Sequence, residues 1–519
     1  MSLTDKVIKN TFYYFISQIV SLLIPMILTP YIISKIGLPA FGIYTIILGF
    51  ISSFGLFDLS ISTSFIKFLS EYYNKNDNEN LNRVLNTGFF FYLVFSSVVA
   101  AAGFLLSEPL LSLINIPQDI MDISLTAFRI SLLTFFISNA GMIFSSLLIS
   151  IQKMYLISLL NLVLGVLNLA LTIFFLSSGY GLVGLLICQL IITSITALFA
   201  FAASFRSVKS LRLSLNSVNR STFKKLGVFG AQMQVSKLAT VLSEKYDELL
   251  LGAFSVLSNV GYFNIGNKIV RFGKVFPSQF IVQVAPTAAE LHAKGENEKL
   301  QRLFGDVTRY LTVLTAPLFA FIFAFAGLII ETWMGKGYEM SAVVIRVLII
   351  GQFVNLAFSA PGNSIIPNIG IPKYQMYEGL IHLSFNIVLT FILVKLFDIY
   401  GAAFGNTTAT VIGSIFVFII SANFFGFRKT GFALKNIGIP FIASAVSVAA
   451  VYTGYYYFTV YFKTEVNRLN GIIILAVTAG IMITLFVLLI FRLNYLNDND
   501  KVVLKKFINR FVMFRNKDE

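Results

Sequence analysis

A chain of 519 residues that is 57% apolar and only 12% charged has about half the charged fraction of an ordinary soluble domain. Its 39 basic and 24 acidic side chains are too few to cover the surface of a soluble protein of this length. One cysteine and two histidines exclude a disulfide framework and a metal centre built on Cys or His; the +15 charge could suggest nucleic acid, but its placement argues otherwise.

Apolar runs of roughly 20 residues, the thickness of a bilayer's hydrocarbon, recur from end to end. The first, Phe12 to Ile33, is too long for a signal h-region and lacks a small-residue cleavage site, so it reads as a membrane span. Helices are predicted at 11–34, 40–66, 84–107, 122–150, 154–177, 181–205, 224–251, 257–286, 304–330, 340–366, 374–397, 400–426, 434–461 and 469–491. The fold class is therefore all-α, a polytopic membrane protein of about 14 helices, since helices satisfy their own backbone in lipid. A transmembrane barrel would show shorter, alternating segments.

Charge by connection sets the orientation. With the N-terminus in the cytoplasm, 27 basic residues fall on that side, and only Lys35, Lys336, Lys395, Lys463 and Arg468 fall outside. This bias places both termini in the cytoplasm and makes the basic excess a topology signal, not a nucleic-acid site. The tail from Arg492 mixes basic and apolar residues, which suits either an anionic leaflet or solvent.

Sliding the sequence by 219 residues without a gap lays Gly42 on Gly261, Ile46 on Ile265, Glu71 on Glu290 and Lys75 on Lys294. Asn78, Glu79, Leu81 and Arg83 then fall on Asn297, Glu298, Leu300 and Arg302. The offset spans six helices, an even number, so the copies are parallel and related by an axis along the membrane normal. The expected organisation is an N-lobe at 1–205, a basic cytoplasmic linker at 206–223 and a C-lobe at 224–430. Two further helices follow at 431–491, then a basic cytoplasmic tail at 492–519. A duplicated chain already holds both lobes, so a monomer is expected.

Charges inside spans are costly and mark function or internal pairing. The first half has chiefly Asp58 and Arg129. The seventh helix carries Lys237, Glu244, Lys245, Asp247 and Glu248, and the eighth carries Lys268, Arg271 and Lys274. Steps of three place the last three on one broad face, opposite which the repeat offers Gly49, Ser52 and Gly55. Two readings stand: a cationic wall for a bulky anion, or acidic and basic helices that neutralise each other. Asp58 is equally open between a structural hydrogen bond and coupling. The Pro- and Gly-rich run at 359–372 is either a broken helix or the end of the tenth. There is no GxxxxGK[ST] loop, no HExxH and no nucleophile triad, so the chain reads as a non-enzyme without cofactor or metal.

The segments TPYIISKIGLPAFGIYTIILGF (29–50), LFDLSISTSFIKFLSEYY (56–73) and YDELLLGAFSVLSNVGYFNIGNKI (246–269) resemble the polysaccharide-biosynthesis flippases. These are the O-antigen and capsule branch of the multidrug/oligosaccharidyl-lipid/polysaccharide exporter superfamily. The resemblance implies alternating access in the bacterial cytoplasmic membrane, driven by an H⁺ or Na⁺ gradient. The implied cargo is an undecaprenyl-pyrophosphate-linked oligosaccharide, and the implied partners include glycan polymerase or assembly proteins. It places pyrophosphate binding on Lys268 and Arg271, with Lys237 and Arg129, and an acidic position on Asp247. Glu244, Glu248 and Asp58 join Asp247 as coupling or pairing residues. The family's Asp-x-Gly is Asp58-Leu59-Ser60 here, which weakens any role carried over to Asp58. The competing readings are a multidrug or cation antiporter using Glu244, Asp247 and Glu248, a peptidoglycan lipid-precursor flippase, and a membrane scaffold.

Overall fold

The structure, a computed structural model, describes residues 3–54, 61–114, 116–224, 226, 245–462, 467–493 and 495. Ten helices among the described residues are long and apolar enough to cross a membrane. They make an all-α polytopic membrane protein.

The elements in chain order are α1 (Leu3–Phe54), α2 (Ile61–Asn74), α3 (Asn78–Leu105), α4 (Ser107–Ser112), α5 (Met121–Ser150), α6 (Met154–Ser177) and α7 (Gly181–Ser207). Residues 245–254 are helical. Then come α8 (Leu257–Ala293), α9 (Asn297–Met334), α10 (Glu339–Val354), α11 (Ala360–Ile365), α12 (Lys373–Phe424), α13 (Lys429–Ala433), α14 (Ile439–Phe462) and α15 (Arg468–Arg492).

Two predicted loops shrink to single-residue breaks. Gly37, at φ 78°, divides α1 where a connection was expected between the first two helices. Asp398, at φ 53°, divides α12 between the eleventh and twelfth. Glycine adopts a left-handed conformation freely, whereas aspartate needs local hydrogen bonds to hold it. The Ser255 hydroxyl and the Asn259 amide (3.0 Å) both donate to the Asp398 carboxylate. Most of the predicted seventh helix lies outside the described residues. The Pro-rich run at 359–372 is preceded by a π-turn, Asn355–Ser359, continues as α11, and ends in a 3₁₀ turn before Gly370 at φ 91°.

The chain forms two compact units, residues 1–268 with 379–409, and residues 269–378 with 410–519. In the first, α1 packs on α6, and α5 packs on both α3 and α7. A buried apolar cluster including Phe65, Leu69, Tyr92, Phe144 and Leu147 fills this bundle, reaching Val208 and Leu211 of the basic linker. The linker is strapped down by an asparagine ladder at helical spacing on α3. Asn82 donates to the Ser210 carbonyl and accepts from the Arg212 N–H. Asn86, fully buried, donates to the Arg212 carbonyl and accepts from the Ser214 N–H, each at 2.8 Å. These amides do for an irregular segment what a neighbouring strand would do.

In the second unit α9 packs on α10, α14 and α15 around Phe325, Leu328, Val451 and Met482. Phe304 stacks on Phe425 and Phe432 with ring centres 4.7 and 5.4 Å apart.

The 219-residue offset reappears in geometry. Asn76 (φ 54°) and Gly295 (φ 70°) hold the same place in two turns. Asp77 N donates to the Tyr72 carbonyl as Glu296 N does to Leu291, and Leu81 N donates to Asp77 as Leu300 N does to Glu296. The pairs Lys75–Glu71 (2.7 Å) and Lys294–Glu290 (2.5 Å) stand at the same place relative to the two turns.

Candidate functional site

Lys268 lies in α8, eleven residues after the helix opens at Leu257. Its ammonium donates to Thr29 Oγ1 at 2.7 Å and stands 4.9 Å from the centre of the Phe41 ring. Thr29, 1% exposed, donates in turn to the Pro25 carbonyl at 2.5 Å. A hydroxyl and an aromatic face solvate the cation without neutralising it. Glu248 lies within electrostatic reach of it, and no carboxylate among the described residues is bonded to it.

One turn on, Arg271 is exposed and Lys274 is half-buried. Lys274 lies within electrostatic reach of Glu378 in α12. The Ser359 hydroxyl (2.5 Å) and the Asn363 amide both donate to the Glu378 carboxylate, so the π-turn before α11 presents a donor to it. Sequence reasoning missed Glu378, although a lone glutamate five residues into an apolar helix is the signal that singled out the other intramembrane charges.

Asp247 and Glu248 sit side by side on the helical segment 245–254, at 2% and 1% exposure. Glu248 pairs with Lys245 at 3.2 Å and accepts from Asn264 Nδ2 at 2.8 Å. Asp247 accepts from Asn406 Nδ2 at 2.6 Å, with Asn386 and Thr390 beside the same carboxyl. Its Oδ1 is buried without a hydrogen-bond partner among the described residues. The result is a carboxyl lined by neutral oxygen and amide groups, two of them (Asn386 and Thr390) fully buried.

Arg129 is exposed on α5, its guanidinium 4.7 Å from the centre of the Phe104 ring. Lys237, Glu244 and Asp58 lie outside the described residues. Among the described residues no group of three His, Cys, Asp or Glu side chains could hold a metal ion.

The polysaccharide biosynthesis protein family matches residues 7–292, more than half of the chain. The chain belongs to that family. Among curated relatives, a Shigella flexneri protein named "putative O-antigen transporter" is 19% identical over 79% of this chain and 96% of its own length. A Haloferax volcanii protein, "probable flippase AglR", is 23% identical over 40% of this chain and 44% of its own. Among solved structures, the lipid II flippase MurJ in its inward closed conformation superposes with a TM-score of 0.73 at 15% identity, covering 93% of this chain and 99% of that one. An inward-facing multidrug resistance MATE transporter reaches 0.66 at 15% identity, covering 79% and 98%.

This member of the polysaccharide biosynthesis family is thus a multi-pass membrane protein whose fold is shared with the MurJ flippase and the MATE transporter.

Proposed function

We propose that this chain flips a polyprenyl-pyrophosphate-linked saccharide between leaflets. Lys268 and Arg271 would engage the pyrophosphate, with Arg129 and Lys237 as further cations. The observation that carries this reading is the Lys268 ammonium, which among the described residues is solvated by Thr29 and Phe41 and has Glu248 only within electrostatic reach, in a family named for polysaccharide biosynthesis. A pyrophosphate suits such a site, because charge-assisted hydrogen bonds gain strength at low dielectric.

The proposed topology has fourteen helices, two parallel six-helix lobes at 1–205 and 224–430, two C-terminal helices and both termini in the cytoplasm. The chain would act as a monomer, with glycan polymerase or assembly proteins as partners. Asp247 is the coupling group for H⁺ or Na⁺, since its carboxyl is buried among neutral donors and Glu248 is already paired.

The cargo could be either saccharide named by the relatives, the peptidoglycan precursor lipid II or an O-antigen unit. A second reading, ion-driven export of a cationic drug, is favoured by Asp247 and by the likeness to the MATE fold. The test is leaflet translocation in vesicles of purified protein, comparing fluorescent lipid II, an undecaprenyl-pyrophosphate oligosaccharide and ethidium, with and without proton and sodium gradients. Protein-dependent flipping of either glycolipid supports the proposal and picks the cargo. Ethidium transport alone replaces it with the antiporter.

A further inference from the structure

The duplication does more than double the chain, because it makes the two copies meet through equivalent residues. Leu38 and Leu257 are 219 residues apart, as are Gly42 and Gly261. A Cβ on Gly42 would lie 2.2 Å from the Leu257 carbonyl oxygen. A Cβ on Gly261 would lie 2.5 Å from Leu38 Cδ1 and 3.2 Å from the Leu38 carbonyl oxygen. Each glycine receives the backbone of the other copy's leucine. The four-residue spacing puts leucine and glycine on one face of each helix, so the crossing is a reciprocal Leu-x-x-x-Gly pair. All four residues belong to the first compact unit.

The same helix of the first copy also meets the segment 245–254: a Cβ on Gly49 would lie 3.5 Å from Leu249 Cδ2, and one on Gly252 would lie 2.6 Å from Ile46 Cδ1. At the position equivalent to Gly49 stands Lys268, bonded to Thr29 beside the equivalent of Leu249, Pro30. Both helices begin their crossing just after a chain break, Gly37 in one copy and the Ser255 turn in the other. These breaks fall in connections poor in basic residues, the side assigned to the exterior.

We infer that Leu38, Gly42, Leu257 and Gly261 form the outer seal of the transport path, closed in this structure and parted when cargo leaves. In lipid no hydrophobic drive holds helices together, so such a contact rests on close fit between small residues. A seal made this way parts without stranding a buried ion, which suits a surface that must separate in every cycle. The inference rests on the alternating-access reading and on the assigned side, but not on the identity of the cargo.

The test needs no cargo. In a Cys188→Ala background, Thr45→Cys, buried in the sealed state beside Gly42, reports access to a membrane-impermeant maleimide added from either face. Gly42→Val and Gly261→Val should each raise exterior labelling about tenfold, the shift produced by about 1.4 kcal/mol of lost contact. Unchanged labelling in variants that elute as the parent does would overturn the seal, and so would increased labelling from the cytoplasmic face alone. As a second measure, a short thiol crosslinker joining Gly49→Cys to Leu249→Cys should stop glycolipid flipping, and a reductant-cleavable version should restore it. Continued flipping through the crosslinked protein also sinks the inference. A labelling shift in a protein that flips no glycolipid leaves the seal intact and overturns the flippase reading instead.

Discussion

Asp247 and Glu248 are consecutive, both almost fully buried, and oppositely provided for: Glu248 holds Lys245 and Asn264, while Asp247 holds only neutral groups among the described residues. Neutralising each should therefore have different consequences. Asp247→Asn keeps a hydrogen-bonding side chain of the same shape, so the protein should fold and flip cargo down its own gradient, with the response to an ion gradient gone. Glu248→Gln leaves Lys245 without its counter-charge and should lower stability by about 2 kcal/mol. Gradient-driven flipping and thermal unfolding in detergent separate the two. Gradient-dependent transport in Asp247→Asn removes Asp247 from coupling.

The bond between Lys268 and Thr29 lets the cargo role of the lysine be split from its packing role. Lys268→Met removes the charge and keeps the stem, and should cut flipping of a pyrophosphate-linked lipid by at least about tenfold, the effect of losing one charge-assisted hydrogen bond. Thr29→Val removes only the hydroxyl and should cost much less, because a cargo phosphate replaces it. Equal losses in the two variants would show that the lysine acts only through Thr29.

Much of this molecule could be read from its sequence because lipid enforces simple rules. The fifth predicted helix, 154–177, coincides with α6, and the fourth with α5 to within a residue, since apolar length and bounding polar turns define a span. The breaks at Gly37 and Asp398 could be predicted only as loops, because a single left-handed residue does not change composition. Asp247 and Lys268 stood out as charges in apolar segments. Their partners Asn406 and Thr29 did not, since a neutral polar residue 159 or 239 positions away carries no local signal. The 219-residue offset was legible in polar turns such as Glu71–Arg83. That Gly42 and Gly261 meet Leu257 and Leu38 was not, because an approach of backbones leaves no mark on composition.

The asparagine ladder on α3 predicts a specific weakness. Asn86→Leu fills the space but leaves the Arg212 carbonyl and the Ser214 N–H without their partner, each now bonded at 2.8 Å. Two backbone groups losing their bonds near a buried position should cost about 2–3 kcal/mol. Limited proteolysis should then cut within 208–220, where the parent resists. Resistance equal to that of the parent would mean that the apolar anchors Val208 and Leu211 hold the linker unaided.

The surface pair of Lys294 and Glu290 should, by contrast, contribute almost nothing. The Lys294 ammonium beside Glu290 holds that carboxyl below its ordinary value of 4.5, while the glutamate raises the lysine above 10.5. The depressed carboxyl contributes stability above the ordinary glutamate value, and that contribution is lost as pH falls through the lowered one. The raised lysine contributes below its ordinary value and loses the contribution as pH rises through the higher one. Between those limits the pair is fully formed, so stability near pH 7 should show no slope from it. Both side chains are fully exposed, where solvent screens the attraction and long side chains resist being held. Glu290→Gln should therefore leave the melting temperature unchanged at moderate salt. A clear drop, read by thermal unfolding in detergent, would mean that the two charges are held more tightly than solvent screening allows.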